Sequence, residues 1–365
     1  DNKTAKQLNL SKHIPFVNEE DFVALAKKEA TPLIYANSEN PINWIVKNLS
    51  FTPLPEYIQN FKDKVKFRKL IQEIFPDFFF KEVDFENLET VNPDTLPMPC
   101  ILKPSVGFFS IGVKVINHKT EWEEAVEDLK RQITTLGKNY PSEVIDTKTF
   151  IVEDIIPGDE YAVDAYFDKD GKPVILNILK HLFSSGADVS DRVYITSADI
   201  IGQNHENFRE FLSKLGKLSK LRQFPMHIEF RVDDKGNINP IEVNPMRFAG
   251  WCVTDIALYA YGINVYEYYF EQKKPDWNTI LKNMNSDIFS MVVADLPKDI
   301  PVQQIKGVDY KSFESYFEHP LEQRPIDYKT HGVFAFQFAR TSKKNMKMLD
   351  DILHSDLKEY LIWQE

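Results

Sequence analysis

The stretch FPMHIEFRVDDKGNINPIEVNPMRFAG, residues 224–250, decides how the rest of the chain is read. Residues 226–232 alternate in polarity, DDKGN is a turn, and 238–243 alternate again, so the stretch reads as a β-hairpin. Side chains on a strand point to opposite faces in turn. His227, Glu229 and Arg231 therefore share one face, and Ile228, Phe230 and Val232 the other. On the return strand Glu242 and Asn244 point one way, Ile241 and Val243 the other. If the polar faces coincide, two carboxylates and an amide oxygen converge beside a histidine, with Arg247 just past the strand end. Crowded, desolvated like charges are costly unless paired or metal-bound. A hard cation with oxygen ligands relieves the cost, and Mg²⁺ is the usual one when phosphates complete its shell. The alternative is a hairpin face solvated by water. The Asn-Pro break and the Arg-Phe-Ala-Gly run after Glu-Val-Asn weigh against it.

The 365 residues are enough for about two domains. At 43% hydrophobic and 27% charged they have the composition of an ordinary globular protein. A net charge of −11 argues against a nucleic-acid partner. Cys100 and Cys252 lack metal-ligand spacing and read as reduced, buried thiols, so a cytoplasmic location is expected. No apolar run is long enough for a transmembrane helix, and no membrane partner is expected. The opening DNKTAKQLNL lacks the apolar core of a signal peptide.

Helical spacing predicts helices over 21–28 and 63–74, the second stopped by Pro76. Residues 33–36 read as a short strand. Phe75, Phe78, Phe79, Phe80 and Phe85 read as core, and the Pro-rich 91–99 as a linker or turn. Strands are expected at 100–103, 113–116, 150–152, 161–167 and 174–179. Thr120 and Glu123 read as a capping box opening a helix with Trp122, Ala125, Val126, Leu129 and Ile133 on one stripe. The polar 181–206 reads as a loop over a site, 207–221 as an amphipathic helix, and 255–270 as one Tyr-rich helix. Two apolar runs (289–294, 333–339) and a helix from Ser342 complete the chain.

Three further stretches carry chemistry. Lys103 ends an apolar strand and opens a loop with Ser105, Gly107, Ser110 and Gly112. Glycines allow close backbone approach, consecutive N–H groups form an anion nest, and a lysine adds a point charge for phosphate. The GK[ST] of a P-loop is absent, and a plain hairpin with an exposed lysine is an equal reading. Glu153 and Glu160 flank IIPGD. Backbone groups after Glu153 suit a flat heterocycle and Glu160 a ribose, against the alternative of two surface glutamates around a turn. Lys180, at a strand end, reads as pointing at phosphates or simply as solvated.

The order and spacing of these pieces resemble the ATP-grasp superfamily. They are Lys-Pro-Ser with a Gly/Ser loop, Glu-x₃-Pro-Gly-x-Glu, then His-x-Glu followed by Glu-x-Asn, and the match runs over about 63–269. The resemblance implies an ATP-grasp fold of mixed α+β and α/β character, with nucleotide held between two α+β lobes behind a small N-terminal α/β unit. The expected boundaries are 1–96, a lid at 97–155, a catalytic part at 156–285, and an extension at 286–365 that completes or flanks it. Lys64 and Lys103 look like the two phosphate lysines, and Ser105, Gly107, Ser110 and Gly112 like the phosphate loop. Glu153, Asp154, Ile155 and Ile156 match the adenine hinge, Ile241 the residue under the base, and Glu160 the ribose acceptor. Glu229, Glu242 and Asn244 match the ligands of Mg²⁺ (or Mn²⁺). Arg247 falls near the arginine that stabilises the reacting phosphoryl group, with Lys180 and His227 as further catalytic candidates. Two departures stand out. Met246 separates Asn-Pro from Arg, and the loop carries Phe108 and Phe109.

The resemblance implies an ATP-dependent, ADP-forming ligase that makes an acylphosphate from a small-molecule carboxylate and joins it to an amine, with a homodimer as a possible assembly. The alternatives are an ATP-grasp kinase, carboxylase or thiol ligase, or a non-catalytic ATP-binding regulatory protein.

Overall fold

The computed structural model describes residues 16–107, 112–136, 148–185, 190–297 and 299–364. Helices α1 (Glu19–Ala26), α2 (Ile42–Asn48), α3 (Leu54–Lys62) and α4 (Lys64–Ile71) open the chain. Asp63 starts α4, its carboxylate accepting from the N–H groups of Val65 and Lys66, the usual way to satisfy a first turn. Residues 33–36 join no sheet, and the Ala36 N–H donates instead to the Met246 carbonyl at 2.8 Å.

Strands β1 (Phe80–Asp84), β2 (Cys100–Pro104), β3 (Lys114–Ile116) and β4 (Thr149–Asp154) form an antiparallel sheet in the order β1-β4-β2-β3. Cys100, Leu102, Phe150 and Val152 pack on Trp122, Val126 and Leu129 of α5 (Trp122–Leu136). Alternation leaves Ile101, Lys103 and Glu153 on the opposite face. Because β1 pairs with β4, this lobe begins before the boundary expected at residue 97. The capping box does not form. A 3₁₀ turn, Lys119–Glu121, precedes the helix, and Glu121 accepts from the Asn117 N–H.

The large sheet contains β5 (Asp159–Phe167), β6 (Pro173–Leu182), β7 (Val193–Ser197), β8 (Phe224–Val232), β9 (Ile238–Pro245), β10 (Ile288–Asp295), β12 (His319–Pro325) and β13 (Val333–Thr341). Its order is β12-β13-β10-β7-β6-β5-β8-β9, so residues 288–341 continue the same sheet. Strands β11 (Ile305–Val308) and β14 (Leu361–Trp363) pair separately. One face of the large sheet, bearing Val163, Ile178, Ile228 and Phe230, packs on α6 (Ala198–Ser219) and the N-terminal helices. Phe208 lies 4.6 Å from Phe230 and Phe61 lies 5.9 Å from Phe224, ring to ring. The opposite face carries Ala162, Leu179, Met291 and Phe338, partly covered by residues 249–256.

Five short helices complete the fold: α7 (Ile256–Tyr261), α8 (Val265–Phe270), α9 (Trp277–Lys282), α10 (Tyr310–Ser315) and α11 (Tyr328–His331). Helix α12 (Lys347–His354) then packs Met348, Leu349 and Ile352 under Val193 and Val292. The single helix expected over 255–270 is broken at Gly262, whose φ of +67° is left-handed. The loop expected over 181–206 is shorter than predicted, since β7 and the start of α6 occupy 193–206. Ser197 caps α6 by accepting from the Ile200 N–H. The aromatic cluster at 75–85 is half-buried, not core. Cys100 is buried and Cys252 half-buried, both free. Among the described residues, no helix is long and apolar enough to cross a membrane.

Candidate functional site

The hairpin forms as expected. Glu229 faces Glu242 and His227 faces Asn244 across β8 and β9, and the Asn244 amide donates to Glu229 Oε1 at 3.3 Å. A bulge after Glu229 takes up Ile241 and sets Phe230 opposite Pro240, which re-aims the strand at this point. The two carboxylates differ in support. Lys64 Nζ lies 2.9 Å from Glu242 Oε2; burial opposes ionisation, but Lys64 outweighs it and holds the Glu242 carboxyl at about 2. Burial would likewise lower Lys64, and Glu242 instead holds it above the usual lysine range. Glu229 has the His227 Nε2 only at 3.7 Å. Burial, then Glu242 and Glu160, push its carboxyl well above the ordinary range.

Among the described residues no three His, Cys, Asp or Glu side chains are grouped for a metal; the set here is two carboxylates and an amide. An oxygen-only set with one uncompensated carboxylate fits a hard divalent ion, so these residues suit the Mg²⁺ that the fold implies.

The cations come from two segments that touch. The Lys64 N–H donates to the Ser105 carbonyl at 2.8 Å, and the Ser105 hydroxyl donates to Asp63 at 2.5 Å. This ties the start of α4 to the end of β2. Lys103 is buried and pairs with Glu153 at 2.6 Å. Glu153 also accepts from Arg68 Nε at 2.7 Å, and Arg68 Nη1 donates to the Pro240 carbonyl at 2.7 Å. Burial disfavours the Glu153 charge, yet Lys103 and Arg68 hold its carboxyl at about 2. Burial pushes the Lys103 ammonium below the usual lysine range, with Glu153 opposing and Lys64 and Arg68 adding. The Glu153 side chain is thus a structural counter-ion, leaving its backbone for the hinge reading. Arg68 escaped the sequence reading, although it lies four residues after Lys64 on one helix face.

Past Asp154 the chain leaves the ladder, and Ile155 and Ile156 line a cleft of about 720 Å³ with Phe78 and Met98. The Asp154 carboxylate accepts from the Phe79 N–H at 2.8 Å. Ile241, expected under a base, sits in the bulge with its carbonyl 3.5 Å from Arg68 Nη2. Gly107 and Gly112 pack against Pro104, Gly112 with φ +75°. Ser110, Phe108 and Phe109 lie outside the described residues.

Glu160 is half-buried and already engaged. Its Oε1 is 2.9 Å from His181 Nδ1 and its Oε2 is 2.9 Å from Arg231 Nη2. His181 stacks on Tyr194 at 4.2 Å. Glu160, Lys180, His181 and Arg231 line a cavity of about 660 Å³, with Lys347 and Asp350 of α12 on its other side. His181, not its neighbour Lys180, shares the face of Glu160. Lys180 has Tyr161 and Ile195 as strand partners, which place it on the helix-covered face, and it pairs with Asp159 at 2.5 Å at the edge of the same cavity. Lys180 and Glu229 therefore lie on opposite faces of the sheet. Alternation along β6 was the signal that separated the two residues. Arg192 is likewise committed, to Asp295 at 2.8 Å and to the Ser355 carbonyl.

His227 is buried with Nδ1 2.8 Å from Asp164 Oδ1. Asp164 also accepts from the Ala249 N–H at 2.8 Å, while its Oδ2 is buried without a partner. The Arg247 Nε donates to Glu39 Oε1 at 3.2 Å, and Lys62 pairs with Glu39 Oε2. Burial disfavours the Glu39 charge, but Lys62 and Arg247 hold the carboxyl below the usual range. Asp164 and Glu39 belong to no motif, so no local pattern marks them.

Residues 96–255 match the model of the ATP-grasp domain family. Among curated protein sequences none matches. Among solved structures, an L-amino acid ligase from Bacillus licheniformis superposes with a TM-score of 0.64 at 19% identity, covering 95% of this chain and 86% of that one. A biotin carboxylase from Campylobacter jejuni gives 0.65 at 13%, covering 95% and 78%. An N5-carboxyaminoimidazole ribonucleotide synthetase from Thermotoga maritima gives 0.58 at 14%, covering 94% and 84%. At these identities the likeness is one of fold. The family match makes residues 96–255 similar to the ATP-grasp domain, and the mixed helix-and-sheet architecture of the chain is that of the ATP-grasp fold.

Proposed function

We propose that the chain is an ATP-dependent, ADP-forming ligase that activates a small-molecule carboxylate as an acylphosphate and joins it to an amine. The observation that carries this reading is the contact of Lys64 with Glu242 at 2.9 Å. It brings the cationic ends of α4 and β2 against the oxygen-donor hairpin. In this reading residues 80–154 form the lid, the large sheet is the catalytic lobe, and the nucleotide lies between them. The backbone of 153–156 receives the base, and Glu160, shared with His181 and Arg231, receives the ribose. Lys103 and Lys64 bind the phosphates, with Ser105 and Gly107 at the start of the loop that covers them. Glu229, Glu242 and Asn244 would hold Mg²⁺, which when bound supplies charge neutralisation on the phosphate oxygens.

Phosphoryl transfer depends mainly on positioning and electrostatic stabilisation, so a cationic site without a nucleophilic side chain is coherent. Lys64, paired with Glu242 at 2.9 Å, would be free to bind phosphate if a metal ion were held by that carboxylate. Arg247 is held beyond the strand end, where charge on the transferred group would develop. The L-amino acid ligase among the structural neighbours supports an amino acid as the carboxylate, the amine or both.

The test is incubation with Mg-ATP and pooled amino acids, followed by nucleotide and phosphate analysis. ADP and phosphate released only with a carboxylate and an amine present is the expected result. AMP would indicate adenylation, and binding without turnover a regulatory protein; either overturns the reading. Lys103→Ala removes one charge-assisted bond of about 1.5–3 kcal/mol. ATP affinity by calorimetry should therefore fall on the order of 10-fold to 100-fold. Unchanged affinity would take Lys103 out of the site.

A further inference from the structure

We propose that Glu39, from the segment between α1 and α2, is the positioning residue that orients Arg247, so that the N-terminal unit builds part of the reacting end. The role given to Arg247 rests on the ligase reading. The orientation claim rests on geometry.

Met246 has a left-handed φ of +67°, uncommon for a residue with a side chain, and the turn it makes is held by three consecutive contacts from one segment. The Ala36 N–H donates to the Met246 carbonyl at 2.8 Å, Glu39 accepts from Arg247 Nε at 3.2 Å, and the Tyr35 hydroxyl accepts from the Phe248 N–H at 3.1 Å. Arg247 Nη1 donates to its neighbour's carbonyl, that of Phe248, at 3.1 Å. Contacts at Nε and Nη1 fix the guanidinium plane of a side chain that otherwise carries about 2 kcal/mol of rotamer entropy.

Glu39 is itself fixed, because Lys62 takes its other oxygen. Lys62 stands two residues before Lys64, and Lys64 pairs with Glu242. Two parallel bridges, Lys64 to Glu242 and Lys62 through Glu39 to Arg247, thus join residues 62–64 to the hairpin end. Arg247 also feels the charges of Glu229 and Glu242. Without Glu39 it is drawn toward those carboxylates and competes there with a divalent ion. Glu39 therefore keeps the guanidinium off the oxygen-donor set as well as aiming it.

The experiment is a double-mutant cycle on ADP release, with Glu39→Ala, Glu39→Gln, Arg247→Ala and the double variant Glu39→Ala/Arg247→Ala. Misplacement of a reacting-end group by about 1 Å costs on the order of 10²-fold. Glu39→Ala should lower kcat by that factor and raise the half-saturating Mg²⁺ concentration, with KM for ATP within about twofold of the parent. Glu39→Gln keeps an acceptor for Nε and should fall between the two. In the Arg247→Ala background the Glu39 change should cost nothing further, since coupled residues are not additive. A loss that persists in that background, or a wild-type kcat for Glu39→Ala, overturns the proposal. If the parent protein turns over no carboxylate–amine pair, the ligase reading fails by itself. The positioning claim is then read from the Nε–H resonance of Arg247, identified by its loss in Arg247→Ala. It should shift in Glu39→Ala, and an unmoved resonance overturns the claim.

Discussion

Glu153→Ala should be the most destabilising single change in the lobe of residues 80–154, lowering unfolding free energy by about 3–5 kcal/mol, the range for breaking a buried ion pair by removing one partner. The carboxylate is 1% exposed and stands between Lys103 at 2.6 Å and Arg68 at 2.7 Å, both buried. Its loss leaves two cations in a low-dielectric space with no counter-charge. Arg68 keeps its bond to the Pro240 carbonyl, but Lys103 has lost its ion-pair partner, so urea unfolding should show the full effect. The same group gives a pH signature. Its folded value of about 2 lies below the ordinary glutamate value of about 4.3, so its contribution is complete above about 4.3 and disappears as pH falls toward 2. Glu153→Gln should therefore narrow its stability gap from the parent across that window. A Glu153→Ala midpoint equal to the parent's would contradict the buried-pair account.

Glu229→Gln is expected to separate stability from activity. The carboxylate is crowded by Glu242 and Glu160 and has no cation closer than the His227 ring at 3.7 Å. A neutral isostere removes that repulsion, so the ligand-free variant should melt at or slightly above the parent's temperature. Turnover should collapse. A bound metal supplies several kcal/mol of charge stabilisation in such reactions, which corresponds to about 10³-fold or more in rate. Glu242→Gln should lose turnover to a similar degree, but without gaining stability, because Glu242 has Lys64 as its partner at 2.9 Å. ADP release from Glu229→Gln within about tenfold of the parent would remove the metal assignment.

Much of the site was legible because strands declare their faces. Period-two alternation in 226–232 and 238–243 brought Glu229, Glu242, His227 and Asn244 to one side, and the register of β8 with β9 puts them there. The same rule, applied to the end of β6, puts His181 on the face of Glu160 and Lys180 on the other. The strand at Val193–Ser197 was missed because its alternation sits inside a polar stretch, and helix α6 begins directly at its end. Residues that act by long-range contact were not legible. Glu39 and Arg247 are 208 positions apart, Asp164 and His227 63, and no local pattern marks such pairs. Arg68 was hidden by the amphipathic reading of its helix, which treats a charge beside an apolar stripe as solvated. Here the fold buries it on Glu153.

The account stands on Glu229, Glu242 and Asn244 acting together as the ligands of a divalent ion against a nucleotide. Titration with Mn²⁺ in the presence of ADP, followed by the paramagnetic signal of free Mn²⁺, measures this directly. The parent protein should deplete the free signal in a nucleotide-dependent way, and the double variant Glu229→Gln/Glu242→Gln should not. Equal Mn²⁺ uptake by parent and double variant would contradict it.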